Sequence, residues 1–292
     1  MESYPAFEEI KKEDLLLFEE AFKNDSPRIS EFTFTNLYAW KEAYRLKASL
    51  LDDLIILCSE SGPSLRFFNP IGKTDKKKAI EKILNESGGF FIRIPEETKD
   101  LFGGDERFKI DLDIDNSDYL YRVEDLTSLR GRKYDGKRNL INKFQSDYVY
   151  EYIKVDAANV GECLKFEESW CAIKDCDSVE GLNNERAAIR KMIENFSDFK
   201  VFAGAIKIKN NISAVACAQR LNPDTMVVHV LKADPNVNGL YQTMLHEFIS
   251  KEAQSFTYVN LEQDLGQEGL RKSKQSYHPI EMINKYTLRQ AE

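Results

Sequence analysis

Three apolar runs in close succession, residues 200–208, 212–220 and 225–232, constrain this chain more than any other feature. Each reads as a strand. The first two meet at Lys209, Asn210 and Asn211, where asparagine tolerates the positive φ of a tight hairpin. The second and third meet at the turn Asn222, Pro223 and Asp224, so the three form an antiparallel meander. Residues 239–253 follow as a helix, with Leu240, Met244, Leu245, Phe248 and Ile249 on one face. Upstream, residues 148–155 read as a strand, 157–173 as a helix, and 184–196 as a second helix with Asn183 as its cap. Downstream come a strand at 257–262, a short basic helix at 268–276 and a last strand at 282–288.

The 292 residues exceed the roughly 100–200 of one domain, and two domains are expected, 1–145 and 146–292. In the first, a helix at 12–22, an aromatic segment from Phe32 to Trp40 read as core, and a hairpin turning at Asp52-Asp53 are followed by a helix at 75–84 and a strand at 89–94. This alternation predicts a second, divergent domain of the same α/β kind. The expected class is therefore α/β (α+β), with mixed sheets, an antiparallel meander and flanking helices.

No stretch approaches the ~18 consecutive apolar residues of a membrane-spanning helix, and the acidic start does not read as a signal peptide, so the cytoplasm is the expected location without integral membrane association. Five cysteines, Cys58, Cys163, Cys171, Cys176 and Cys217, lack paired close spacing and read as buried free thiols. Three histidines without neighbours at ligand spacing predict no metal site. A net charge of -8 argues against bulk affinity for nucleic acid, but residues 129–144 hold six cations, Arg130, Arg132, Lys133, Lys137, Arg138 and Lys143, against Asp135 alone.

The order of strand, two helices, meander, helix, strand resembles the acyl-CoA N-acyltransferase (GNAT) fold, whose strands on either side of the long helix diverge to admit an acyl donor. On that likeness the diverging strands are residues 226–232 and 257–262. Four segments also resemble the soluble relatives of the phosphatidylglycerol lysyltransferase C-terminal domain. They are FTNLYAW (Phe34–Trp40), LRGRKYDGKRNLINKF (129–144), HVLKADPNVNGLYQTMLHEF (229–248) and VNLEQDLGQEGLRKSKQSYHP (259–279). The resemblance implies two tandem GNAT-like domains, related in shape to the Fem-type aminoacyltransferases. It also implies an acyl- or aminoacyltransferase that requires no cofactor, takes charged tRNA or acyl-CoA as donor, and serves a small polar or peptide acceptor bearing an amine or hydroxyl. A non-catalytic module that binds a phosphate-bearing ligand or nucleic acid is the alternative. GNAT enzymes that use CoA place two small residues in a Gln/Arg-x-x-Gly-x-Gly/Ala loop before the long helix. Here Asp234-Pro235-Asn236-Val237-Asn238-Gly239 offers one glycine, although Asn238 and Gly239 still adjoin free helix N–H groups.

Group transfer needs a proton acceptor for the nucleophile and a proton donor for the leaving group. Alternation puts Tyr258, Asn260 and Glu262 on one face of the strand at 257–262, which makes Glu262 the candidate base or, equally, a solvated strand-end carboxylate. His229 lies mid-strand on the face of Val227 and Leu231, as a catalytic partner or a core histidine. Tyr277, just past the basic helix, is the candidate acid or a packing residue. Arg271 and Lys274, with Arg130, Arg132, Lys133 and Arg138, are read as donor or phosphate contacts or as solvated faces.

Overall fold

The computed structural model describes residues 1–174 and 180–291. The chain divides into two compact units, one of Met1–Tyr119, Gln263–Lys272 and Glu281–Glu292, the other of Leu120–Glu262 and Ser273–Ile280.

The first unit is built on β1 (Glu8–Glu9), β2 (Leu46–Leu51), β3 (Leu54–Ser59), β4 (Arg66–Phe68), β5 (Phe90–Ile94), β6 (Phe108–Leu112) and β14 (Tyr286–Gln290). These strands lie in the order β1-β2-β3-β4-β5-β14-β6. The β2–β3 hairpin turns at Asp52 and Asp53 as expected, with Asp52 at φ 56. The aromatic segment folds as α2 (Phe34–Trp40), following α1 (Leu15–Asp25); the Thr33 side chain caps it by accepting the Asn36 N–H. Helix α3 (Lys76–Ser87) starts where the Asp75 carboxylate accepts the Lys78 N–H and stops at Gly88, φ 64. It buries Ala79, Ile80, Ile83 and Leu84 against Ile56, Phe67, Phe91 and Leu288 of the sheet. A short α4 (Glu96–Asp100) precedes β6.

The second unit takes its sheet from β7 (Asp118–Arg122), β8 (Tyr150–Lys154), β9 (Phe202–Ile208), β10 (Asn211–Arg220), β11 (Thr225–Ala233) and β12 (Tyr258–Asn260), in the order β7-β12-β11-β10-β9-β8. The meander is β9-β10-β11, with Lys209 at φ 48 and Asn210 at φ 67 in its first turn. Helices α5 (Val123–Ser128), α6 (Asp135–Asp147), α7 (Val160–Lys174) and α8 (Glu180–Glu194) precede α9 (Leu240–Glu252). Helix α9 buries the apolar face read from its sequence. Asn183 lies inside α8 and does not cap it. Beyond β12 come α10 (Glu268–Gln275) and β13 (Glu281–Ile283).

One connectivity appears in both units. A three-strand antiparallel run (β2-β3-β4, β9-β10-β11) leads into a helix (α3, α9) and then a strand parallel to the last of the run (β5, β12). Against that parallel strand lies an antiparallel strand from outside the run, β14 in one unit and β7 in the other. The protein is thus a mixed α/β pair of GNAT-like units, each with one mixed sheet.

The division differs from the one expected after residue 145. Helix α6 runs across that point and packs on α9, whereas β14, expected in the second domain, pairs with β5 and β6 of the first sheet. Backbone pairing, which satisfies buried N–H and C=O groups, overrides chain order. Among the cysteines Cys58, Cys163 and Cys217 are free and buried, but Cys171 is disulfide-bonded, unlike the free thiol expected; Cys176 lies outside the described residues.

Candidate functional site

Strands β11 and β12 pair in parallel through Thr225 with Tyr258, Met226 with Val259 and Val227 with Asn260. There β12 ends while β11 continues to Ala233, so the strands part beyond this point. His229 stands on β11 just past the parting. On β10, Ala218 pairs with Val228 and Cys217 with Val230, leaving His229 as the extra residue of a β-bulge. The bulge breaks the alternation that grouped His229 with Val227 and Leu231.

Glu262 reaches the same place by a different device. The expected strand stops at Asn260, and Glu262 adopts φ 59. The wholly buried Asn260 holds that turn, its Oδ1 accepting the Glu262 N–H at 2.7 Å. Such a left-handed non-glycine residue costs roughly 1–2 kcal/mol, which the surrounding bonds must offset. Lys274 Nζ donates to the Leu261 carbonyl at 2.6 Å, and the Lys274 carbonyl accepts from the Tyr121 hydroxyl at 2.8 Å. Glu262 Oε1 and His229 Nδ1 then meet at 2.7 Å. The His229 side chain is 1% exposed and that of Glu262 20%. A carboxylate open to the cleft and backed by a buried imidazole suits accepting a proton from a bound nucleophile.

The other residues read from the sequence lie elsewhere in the units. Tyr277 is buried and its hydroxyl has no hydrogen-bond partner, so it is hydrogen-bonded to neither His229 nor Glu262. Burial, with Tyr241 nearby as a lesser cause, pushes that phenol well above its ordinary range. Lys137 Nζ sits 4.0 Å from the Tyr277 ring centre, and the Tyr134 hydroxyl donates to the Tyr277 carbonyl at 3.1 Å. In the basic stretch, Arg138 is spent locally on the Leu129 and Gly131 carbonyls and on Asp135. Arg130, Arg132 and Lys133 are exposed, with the Lys133 ammonium over the Tyr134 ring.

Before α9, the Asp234 carboxylate accepts the Asn236 N–H and the Asp234 carbonyl accepts the Val237 N–H, so part of the loop's donor capacity is used internally. Asn238 is exposed, whereas Gly239 has φ 81 and lies against α6, where a Cβ would come within 2.3 Å of the Leu140 carbonyl oxygen. Its glycine thus serves helix packing. Within the first unit, Arg271 is committed to both oxygens of the buried Asp264, at 2.8 and 2.9 Å, and to Asp115 at 2.6 Å. Neither arrangement leaves the expected phosphate contact ready-made.

Sequence reading missed two features. Asn260 had a local signal, an asparagine two residues before the candidate base, a spacing that favours a side-chain to backbone turn. The second is a buried charge cluster in the first unit. Lys285 Nζ, fully buried, lies 2.6 Å from Glu31 Oε2 and 2.6 Å from Asp118 Oδ1. Arg93 joins Glu31 to Asp113. These positions are scattered along the chain, and no local pattern points to them.

Two strands that part beyond a short parallel pairing, with the long helix between them in the chain, give the second unit a GNAT-like fold. The model of the family "Phosphatidylglycerol lysyltransferase, C-terminal" matches residues 24–289, and the chain belongs to that family. A conserved protein of unknown function from Bacteroides thetaiotaomicron has a crystal structure that superposes with a TM-score of 0.91 at 31% identity, covering 98% of this chain and 99% of that one. L-PGS from Bacillus licheniformis superposes with a TM-score of 0.65 at 14% identity, covering 94% of this chain and 90% of that one, which is a likeness of fold. An uncharacterized protein of Mycoplasmoides gallisepticum is 23% identical over 176 residues, 60% of this chain; the match spans 56%, little over half, of that relative's length. Among the described residues no helix is long and apolar enough to cross a membrane.

Proposed function

We propose that this protein transfers an acyl or aminoacyl group to an amine- or hydroxyl-bearing acceptor, with Glu262 as the general base and His229 behind it as the positioning residue. The observation that carries the reading is the 2.7 Å bond between His229 and Glu262 across the parting of β11 and β12. Burial supports this division of roles, since the Glu262 side chain is 20% exposed and that of His229 1%. The acceptor's proton passes to the Glu262 carboxylate as its nitrogen or oxygen bonds to the donor carbonyl carbon. The bond from that carbon to the leaving oxygen or sulfur breaks, and the leaving atom takes the proton that Glu262 accepted, which returns the carboxylate to its starting state.

The loop at 234–239, internally bonded and pressed against α6, favours an aminoacyl ester on tRNA over acyl-CoA as donor. Arg130, Arg132 and Lys133 are exposed cations suited to the tRNA backbone. The same patch supports a second reading, a module that binds such a ligand without catalysis. Incubation with charged tRNA or acyl-CoA and amine-bearing acceptors tests both readings. Transfer that falls roughly 10²–10⁴-fold in Glu262→Gln supports the first. Transfer unchanged in Glu262→Gln refutes it. Salt-sensitive tRNA binding lost on charge reversal at Arg132 and Lys133, without turnover, supports the second.

A further inference from the structure

We infer that the cavity between α7 and α8 is a binding site for an acidic α-amino acid, a small molecule with two carboxylates and one ammonium, separate from the His229–Glu262 pair. The cavity measures about 450 Å³, a volume usual for small-molecule sites. Among the described residues it is lined by Glu168 of α7 and by Asn183, Arg186, Ala187 and Arg190 of α8. Helical spacing builds this wall. Residues 183, 186, 187 and 190 share one face of α8, while Ala188, Ile189, Met192 and Ile193 bury the other, so the helix turns two guanidiniums and an amide toward the cavity. Both helices are tied to the strand behind them. Lys232 of β11 bonds Glu185 at 2.6 Å and lies 3.8 Å over the Trp170 ring, and the Trp170 indole N–H donates to the Ala233 carbonyl at 3.0 Å. A wall already held in place lowers the ordering cost of binding.

The charges select the ligand. Arg190 Nη2 donates to Glu168 Oε1 at 2.5 Å, so a carboxylate is what this arginine fork takes. Two guanidiniums against one carboxylate give the lining one net positive charge. A simple anion would suit Arg186 and Arg190 but meet the Glu168 carboxylate, and a simple cation would meet the reverse. A molecule with two carboxylates and an ammonium answers every charge of the wall with its opposite. Asn183 can both give and accept a further hydrogen bond. Behind the lining, Lys232 and Glu185 cancel as a pair. Burial raises the carboxyl of Glu167, against the pull of Lys232, Arg186 and Arg190, which favours its uncharged form and leaves the balance of the lining in place. The inference concerns binding alone and does not depend on group transfer.

Titration of the full chain with L-glutamate and, separately, with L-aspartate, followed by calorimetry and by ligand NMR line broadening, tests the site. Saturable one-to-one binding of either amino acid is expected. The matching diacid, glutarate or succinate, lacks the ammonium, and the matching amide, glutamine or asparagine, lacks one carboxylate; each should bind about tenfold more weakly or worse. Arg190→Gln and Glu168→Gln should each weaken binding of the amino acid by about the same factor, and Glu168→Gln should also remove its advantage over the diacid. The two side chains are 45% and 55% exposed, and an exposed ion pair adds little stability, so the melting temperature should stay within about 2 °C, which separates loss of binding from loss of folding. If neither amino acid binds the native protein, if the diacid binds as tightly as the amino acid, or if both variants bind as well as the native chain, the site does not exist. Loss of transfer in Glu262→Gln leaves these titrations unchanged, so the two ideas fail independently.

Discussion

Replacing Lys285 with methionine should destabilise the first unit by about 3–5 kcal/mol, the usual cost of removing one partner from a buried ion pair. The geometry supports the upper part of that range. Lys285 is fully buried and bonds both Glu31 and Asp118 at 2.6 Å, so one substitution strips the cation from two carboxylates. Arg93 still faces Glu31, and the Ser30 N–H and hydroxyl still serve Asp118, at 2.8 and 2.9 Å, which limits the loss. At roughly 2–4 °C per kcal/mol, a fall of about 6–20 °C in the calorimetric melting temperature is expected at pH 7. The pH dependence fixes the cause. Burial would raise the Glu31 carboxyl, but Lys285 and then Arg93 outweigh it and hold the group below its ordinary range. A carboxyl depressed in the folded state contributes stability above its unfolded pKa, and loses it as pH falls through the folded value. In Lys285→Met the depression is relieved, so the deficit should be greatest at neutral pH and shrink below about pH 5 as the Glu31 carboxylate protonates. A fall of less than about 2 °C at pH 7, or a deficit that does not vary with pH, would refute this account of the cluster.

Two glycines make a paired comparison. Gly239→Ala drives a Cβ against the rigid Leu140 carbonyl at positive φ and should cost more than about 2 kcal/mol in urea unfolding. In Gly204→Ala the atoms met are the hydroxyl, Cζ and Cε2 of the Tyr152 side chain, not backbone, and φ is not positive, so the measured loss should be smaller. Asn260→Ala leaves the Glu262 N–H without its 2.7 Å acceptor and should cost about 1–3 kcal/mol by the same measurement. It should also lower transfer through kcat more than KM, because it loosens the base and not the acceptor contacts.

Much of the second unit was legible from local pattern. The meander, the long helix and its buried face depend on alternation, turn residues and 3.6-residue spacing, which are properties of short segments. The sequence also nominated His229 and Glu262, but as separate strand residues on assumed faces. Their meeting is a tertiary result, since a bulge at His229 and an asparagine-held left-handed turn at Glu262 bring residues 33 positions apart to 2.7 Å. Both devices break the alternation from which strand faces are read. The unit division and the Lys285 cluster depend likewise on long-range pairing: β14 completes the first sheet from the far end of the chain, and Lys285, just before it, meets carboxylates at Glu31 and Asp118. Local propensity by itself determined which segments are strands and helices. Only hydrogen bonding and charge pairing between distant segments decided which sheet each strand joins and which side chains meet, because the cost of leaving buried polar groups unpaired is settled only when the whole chain is in place.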